Sequence, residues 1–143
     1  MENSLCMWYY VGGMVDNMCY EYFNANPKGK KTTDCVVRAI CTALDQTYEK
    51  TVKELTDMWL ETGYDLCDVK CFGKYLEAKG WKKQKQSRKE NNRKYTGEEF
   101  TMIFKGVCVA NIGGGHTVCI KNGKILDIWD SSEGCIGNYW IKE

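Results

Sequence analysis

Apolar residues recur at helical spacing between Cys35 and Gly80 and at strand spacing between Gly106 and Trp129. That single change of period divides the chain into a helical part followed by a sheet, and argues against parallel strands alternating with helices throughout. At 143 residues the chain has the length of one domain able to bury its own core, so residues 1–143 are read as a single α+β unit.

The first helix is expected over Cys35–Leu44, where Val36, Ala39, Ile40 and Ala43 share one face and direct it into the core. A polar loop, Asn24–Thr33, precedes it with the chain's only proline, and Thr32-Thr33-Asp34 are N-cap and first-turn residue types. Thr47 can cap a second helix over about Tyr48–Glu61, with Val52, Leu55, Met58 and Trp59 as its stripe and Gly63 just past its end. Asp68 starts a third helix that Gly80 closes, and Thr96-Gly-Glu-Glu99 has capping-box spacing ahead of a short helix.

Strand signals stand at both ends of the chain. Leu5–Val11 and Met14–Phe23 flank Gly12-Gly13 as an N-terminal hairpin whose register sets Cys6 opposite Cys19. Downstream, Val107–Ile112, His116–Ile120 and Lys124–Trp129 read as an antiparallel C-terminal sheet, the last two joined by Asn122-Gly123, a strong hairpin-turn signal.

Twenty Lys and Arg nearly cancel nineteen Asp and Glu, which removes the global electrostatic case for nucleic-acid binding. No stretch approaches the ~20 apolar residues of a membrane span, and no secretory leader is recognised, so no membrane association and a cytoplasmic location are expected. Nine cysteines, an odd number, cannot all pair within one chain, and reduced thiols, including Cys6 and Cys19, are the expectation.

Among the nine, Cys35 alone is expected at a helix N-terminus, where free amides and the positive dipole end favour a thiolate. Thiol catalysis also needs a base, and the chain has one histidine, His116, behind Gly113-Gly114-Gly115. A two-residue turn at Asn122-Gly123 pairs His116 with Trp129 and puts Asp127 on the same side, as the group that would orient the imidazole. A bulge in that hairpin would instead bring Asp130 to the histidine, so Asp130 is the alternative third member.

Thr33-Asp-Cys-Val-Val-Arg-Ala-Ile40, followed by Gly115-His-Thr-Val118 and Asp127-Ile-Trp129, resembles the papain-like cysteine peptidase fold, particularly small phage-encoded members with an Asp-Cys-Val-Val-Arg-Ala helix start. The resemblance spans about Asn24 to Ser132. It implies a central helix carrying the nucleophile Cys35 at its start, with His116 and Asp127 supplied by neighbouring strands. It also implies that Trp129 shields the histidine contact, as the indole of the family's Asn-x-Trp does. The chain departs from the family at the oxyanion hole: papain-like enzymes place a Gln six residues before the nucleophile, and that position here is Gly29. Asn26, Thr32 and Thr33 are the candidates to substitute, beside the Cys35 backbone N–H.

The resulting expectation is a thiol hydrolase that cleaves an amide or isopeptide bond of a peptide or protein substrate through a thioester, without metal or cofactor. The alternative is a non-catalytic binding protein on the same fold, such as a phage-encoded inhibitor of a host system, acting in the host cytoplasm. Lys82–Lys94 carries seven basic residues against one acid and is a candidate contact for an acidic partner, although such runs usually form a solvated edge. Cys67 and Cys71, four apart, have no second pair to complete a zinc set and are read as buried thiols. Asp34 and Arg38 are read as a surface or half-buried ion pair without a catalytic role.

Overall fold

The computed structural model describes residues 8–11 and 14–142, with side chains from Met18 onward. The elements run β1 (Trp8–Val11), β2 (Met14–Asn17), β3 (Tyr20–Tyr22), α1 (Cys35–Leu44), α2 (Tyr48–Thr62), α3 (Val69–Ala78), β4 (Trp81–Gln84), α4 (Gly97–Ile103), β5 (Val107–Ile112), β6 (His116–Lys121), β7 (Lys124–Asp127) and β8 (Ile136–Lys142).

Six strands form one sheet in the order β3-β7-β6-β5-β8-β4, and helices cover both faces. On one face, Val36, Val37 and Ile40 of α1, Leu55 of α2 and Phe72 and Leu76 of α3 pack on Val109, Cys119 and Trp140. On the other, Phe100 of α4 packs on Cys108, Ala110, Ile112, Val118, Ile120 and Ile125. Adjacent residues of β5 and β6 thus serve opposite cores, as the two-residue strand period requires, which is why their sequences are almost continuously apolar.

Local chemistry accounts for most boundaries. Thr47 and Asp68 accept hydrogen bonds from the Lys50 and Lys70 amides to cap α2 and α3. Thr96 and Glu99 form a reciprocal capping box at α4. Asn122 and Gly123 both take positive φ, 53° and 79°, the tight-turn geometry that matches strand twist. The β6–β7 register that follows, Ile120 opposite Ile125 and Cys119 opposite Leu126, is the one the two-residue turn predicts.

The sheet is mixed rather than purely antiparallel. The run Met14–Phe23 is broken by a turn at Met18–Cys19: β2 pairs with β1 in the expected register, whereas β3 leaves the hairpin and lies parallel to β7. Strand alternation is the same on both sides of that turn, so periodicity could not reveal the break. Cys6 lies outside the described residues, and Cys19 is buried and disulfide-bonded rather than reduced. The short helix after the capping box raises the total to four helices among the described residues, and β8, for which no sequence expectation was made, inserts between β5 and β4. Cys71 is buried in α3, while Cys67 precedes the helix and is exposed, so the two do not share a helix face.

The basic segment contributes β4, an outer strand of the sheet, where lysines also discourage pairing with another chain. Part of its charge is already engaged: Lys89 pairs with Glu99 at 2.6 Å, and Arg88 donates to the Asn92 carbonyl and to Gln86. Among the described residues, no helix is long and apolar enough to cross a membrane.

Gly97 shows how tightly α4 is docked. A Cβ there would lie 2.8 Å from Ile112 Cδ1 and 3.0 Å from Ile125 Cδ1. The Gly97 and Glu98 amides donate to the Gly134 and Ser132 carbonyls, tying the helix start to loop 130–135. Gly97→Ala is expected to destabilise the fold by about 1–3 kcal/mol through overpacking, read as a lower urea midpoint with an unchanged slope. An unchanged midpoint would show that this contact is slack.

Candidate active site

Antiparallel pairing of β6 and β7 brings the first residue of β6 and the last of β7 to one end of the sheet, and α1 begins at that same end. Three side chains named from sequence converge there. The half-buried Cys35 thiol lies close enough to the His116 imidazole and the Thr117 backbone N–H for both to favour its ionised form. His116 Nε2 lies 2.5 Å from Asp127 Oδ2, which leaves Nδ1 as the ring nitrogen for the sulfur. Asp130 is not on the histidine; its Oδ1 accepts from the Ser132 amide in the following loop. Trp129 lies just past the end of β7, half exposed, with its ring centroid 4.8 Å from that of His116.

Asp127 is fixed at backbone and side chain alike. Its carbonyl accepts from the Phe23 N–H at 2.8 Å and the Tyr20 hydroxyl at 3.2 Å, both supplied by the parallel β3 segment. Its Oδ1 accepts from the Ile128 amide at 2.7 Å and from Arg38 Nη1 at 2.5 Å. A carboxylate held on both oxygens has one orientation, so the imidazole it contacts has one as well.

Arg38 corrects the sequence reading. The Asp34–Arg38 pair is buried rather than at the surface: the Arg38 side chain is 6% exposed and that of Asp34 10%. Arg38 Nε donates to Asp34 Oδ1 at 2.8 Å while Nη1 reaches Asp127, so one guanidinium bridges the start of α1 to the end of β7. Asp34 Oδ2 in turn accepts from the Tyr48 hydroxyl at 2.7 Å and from Asn26 Nδ2 at 3.0 Å. The signal for this network was present in the sequence: Arg38 is the only charged residue in the ten-residue helix Cys35–Leu44. A charge amid buried apolar neighbours requires buried partners.

Asp34 occupies the N-cap position of α1, but its side chain makes no capping hydrogen bond. The first-turn amides of α1 therefore lack a side-chain acceptor at the helix end that carries Cys35. Of the residues considered as oxyanion donors, Asn26 has its amide directed to Asp34, and Thr32 and Thr33 are exposed just ahead of the helix.

Burial opposes charge on every member of the site, and neighbouring opposite charges outweigh it. Burial alone would raise the Cys35 pKa, yet the His116 hydrogen bond, the Thr117 amide and the nearby charges of His116 and Arg38 bring it below the ordinary thiol value. Burial disfavours the imidazolium, but Asp127 and Cys35 hold the His116 pKa up at about 9. Burial likewise works against the Asp127 carboxylate, and His116, Arg38 and the Ile128 amide more than compensate, leaving its pKa lowered. The surroundings thus draw the thiol toward thiolate and the imidazole toward imidazolium, beside an aspartate drawn toward its ionised form.

Searches against protein-family models, curated proteins and solved structures find no match to this chain. The geometry and chemistry of the site therefore carry the functional argument.

Replacing Arg38 with Met is expected to leave two buried carboxylates without their cation and to cost about 3–5 kcal/mol at pH 7. Asp34 and Asp127 both have folded pKa values below the unfolded ones, so the stability they contribute is present above pH ~4 and is lost as pH falls through the folded values. The gap between wild type and Arg38→Met in urea unfolding should accordingly narrow as pH drops below ~4. A gap independent of pH would mean that Arg38 acts through packing alone.

Proposed function

We propose that this chain is a thiol hydrolase of papain-like type, acting on an amide or isopeptide bond of a peptide or protein. The observation that carries the reading is the half-buried thiol at an uncapped helix start, placed beside an imidazole that a buried aspartate orients. In this mechanism the Cys35 thiolate attacks the acyl carbon, and the first-turn amides of α1, including that of Cys35, receive the developing oxyanion. The C–N bond then breaks as the His116 imidazolium gives its proton to the departing amine. A water, deprotonated by the now neutral His116, attacks the thioester, releases the acid and regenerates the pair. Asp127 keeps the imidazole in place and favours its charged form, and Trp129 covers one side of the ring.

One observation favours a second reading, a non-catalytic binding protein on the same fold, such as a phage-encoded inhibitor whose Lys82–Lys94 segment meets an acidic partner. The amide of Asn26, which could have replaced the family's Gln, is committed to Asp34. Backbone amides alone would then have to stabilise the oxyanion, and losing one donor typically costs ~10²–10³ in rate.

Iodoacetamide labelling separates the two. The lowered Cys35 pKa and the His116 pKa held up at about 9 both widen the pH range in which a thiolate–imidazolium pair can form. Cys35 labelling should therefore persist at pH 6, whereas ordinary thiols lose about tenfold in rate per pH unit below ~8.5. His116→Ala is expected to raise the thiol pKa and cut the pH 6 rate by roughly tenfold or more. Uniformly slow labelling of all free cysteines would overturn the hydrolase reading.

A further inference from the structure

A second thiol stands at the start of α1. The Cys67 S–H meets the Thr33 carbonyl oxygen at 4.0 Å, and Thr33 is two residues before Cys35. Two residues of chain span no more than about 7 Å, so both thiols lie at the same end of the helix. The loop carrying Cys67 is held in that place. Leu66 packs against the same apolar core as Cys35, the Cys67 amide donates to Asp65 Oδ1 at 2.9 Å, and Asp68 caps α3 immediately after. The two thiols also sense each other electrostatically. Partial burial of the sulfur is the first cause of the raised Cys67 pKa, and the charge of Cys35 is the next, ahead of Asp65 and Asp34.

The remaining free thiols among the described residues are placed differently. Cys41, Cys71, Cys108 and Cys119 are buried, which leaves Cys67 and Cys135 exposed. Cys135 bridges to Thr96, the cap of α4, and α4 packs on the opposite face of the sheet from α1. The pair at the start of α1 is also chemically unequal. The surroundings lower the Cys35 pKa and raise that of Cys67, so an electrophilic oxidant meets the more reactive sulfur at Cys35 while Cys67 stays protonated beside it.

We propose that Cys35 and Cys67 form a redox pair, in which a hydroperoxide oxidises Cys35 to the sulfenic acid and Cys67 resolves it as a reversible disulfide. In the first step the Cys35 thiolate attacks the terminal peroxide oxygen. The S–O bond forms, the O–O bond breaks, and the departing oxygen takes the His116 proton and leaves as water or an alcohol. The sulfur is oxidised by two electrons and the peroxide reduced by two. In the second step the Cys67 sulfur displaces the hydroxyl of the sulfenic acid, the S–S bond forms, and the thiol proton leaves with the hydroxyl as water. The first step favours the second, because a neutral sulfenic acid replaces the thiolate whose charge opposed ionisation of Cys67. The disulfide holds the sulfur that acyl transfer requires, and a thiol reductant returns it. The inference shares a reactive Cys35 with the hydrolase reading and goes beyond it by giving Cys67 a function.

The test treats the full chain with hydrogen peroxide and maps disulfides in a non-reduced tryptic digest. Cys35 and Cys67 fall in separate peptides, Thr32–Arg38 and Glu54–Lys70, neither of which contains another cysteine. The expected product is these two peptides linked, with loss of Cys35 labelling by iodoacetamide at pH 6 and its recovery in dithiothreitol. Cys67→Ser, an exposed and nearly isosteric change, should leave labelling of the untreated protein as it was. After peroxide, Cys35 of that variant should pass on to the sulfinic and sulfonic acids, and less than about a tenth of its labelling should return in dithiothreitol. A link from Cys35 to any other cysteine, or equal recovery in the wild type and Cys67→Ser, would overturn the proposal.

Labelling before peroxide keeps the two readings apart. Rapid Cys35 labelling without the Cys35–Cys67 link removes the redox pair and leaves the hydrolase. The link formed by a Cys35 that labels as slowly as the other thiols keeps the pair and removes the hydrolase.

Discussion

One buried guanidinium orders this end of the molecule. Arg38 lies between two buried carboxylates, Asp34 one turn before it in the chain and Asp127 at the end of β7. The apolar packing of α1 against the sheet is largely non-directional and would tolerate some rotation of the helix about its axis. The Arg38–Asp127 contact does not, because rotation would strand a charge away from water. Cys35 is three residues before Arg38 and so lies within about 60° of it around the helix. The rotation that satisfies Arg38 also turns Cys35 toward the strand carrying His116. Position of the Cys35 thiol thus follows from satisfaction of a buried cation.

The same contact sets the electrostatics. Read outward from the sulfur, the charges alternate: thiolate, imidazolium, carboxylate, guanidinium, carboxylate. Each would shift toward neutrality if buried alone, and each is drawn back toward its charged form by the next. Such a series adds little net stability over an apolar packing of equal volume. What the series fixes is the orientation of one imidazole, and it biases one thiol toward its ionised form. The outer members, Tyr48 and Asn26, satisfy the remaining oxygen of Asp34 and end the series without a further buried charge.

Local and short-range rules made much of this legible in the sequence. The Asn122-Gly123 turn determined the β6–β7 register, and the register set Asp127 rather than Asp130 beside His116. Capping residues located the starts of α2, α3 and α4. What escaped depended on contacts between residues distant in the chain. The parallel pairing of β3 with β7 joins segments about a hundred residues apart and leaves no periodic trace, yet it holds the Asp127 carbonyl. Arg38 was discounted because an i, i+4 acid–base pair is ordinarily a surface feature. Its second partner, 89 residues away, is what makes it a buried one.

The start of α1 gives up local stability for this arrangement. An aspartate at an N-cap normally accepts a first-turn amide, an interaction worth about 1 kcal/mol. Asp34 stands at that position and spends its oxygens on Arg38, Tyr48 and Asn26 instead. Had it capped the helix, its carboxylate would have occupied the first-turn amides beside Cys35 and would have repelled a thiolate there. Turning it toward Arg38 leaves the helix end open to an anion other than the protein's own. Asn26 therefore contributes to the site without donating to an oxyanion: its amide helps hold Asp34 away from the helix end. The commitment of Asn26 that takes its amide out of use as a donor is also part of what leaves the first-turn amides without a side-chain cap.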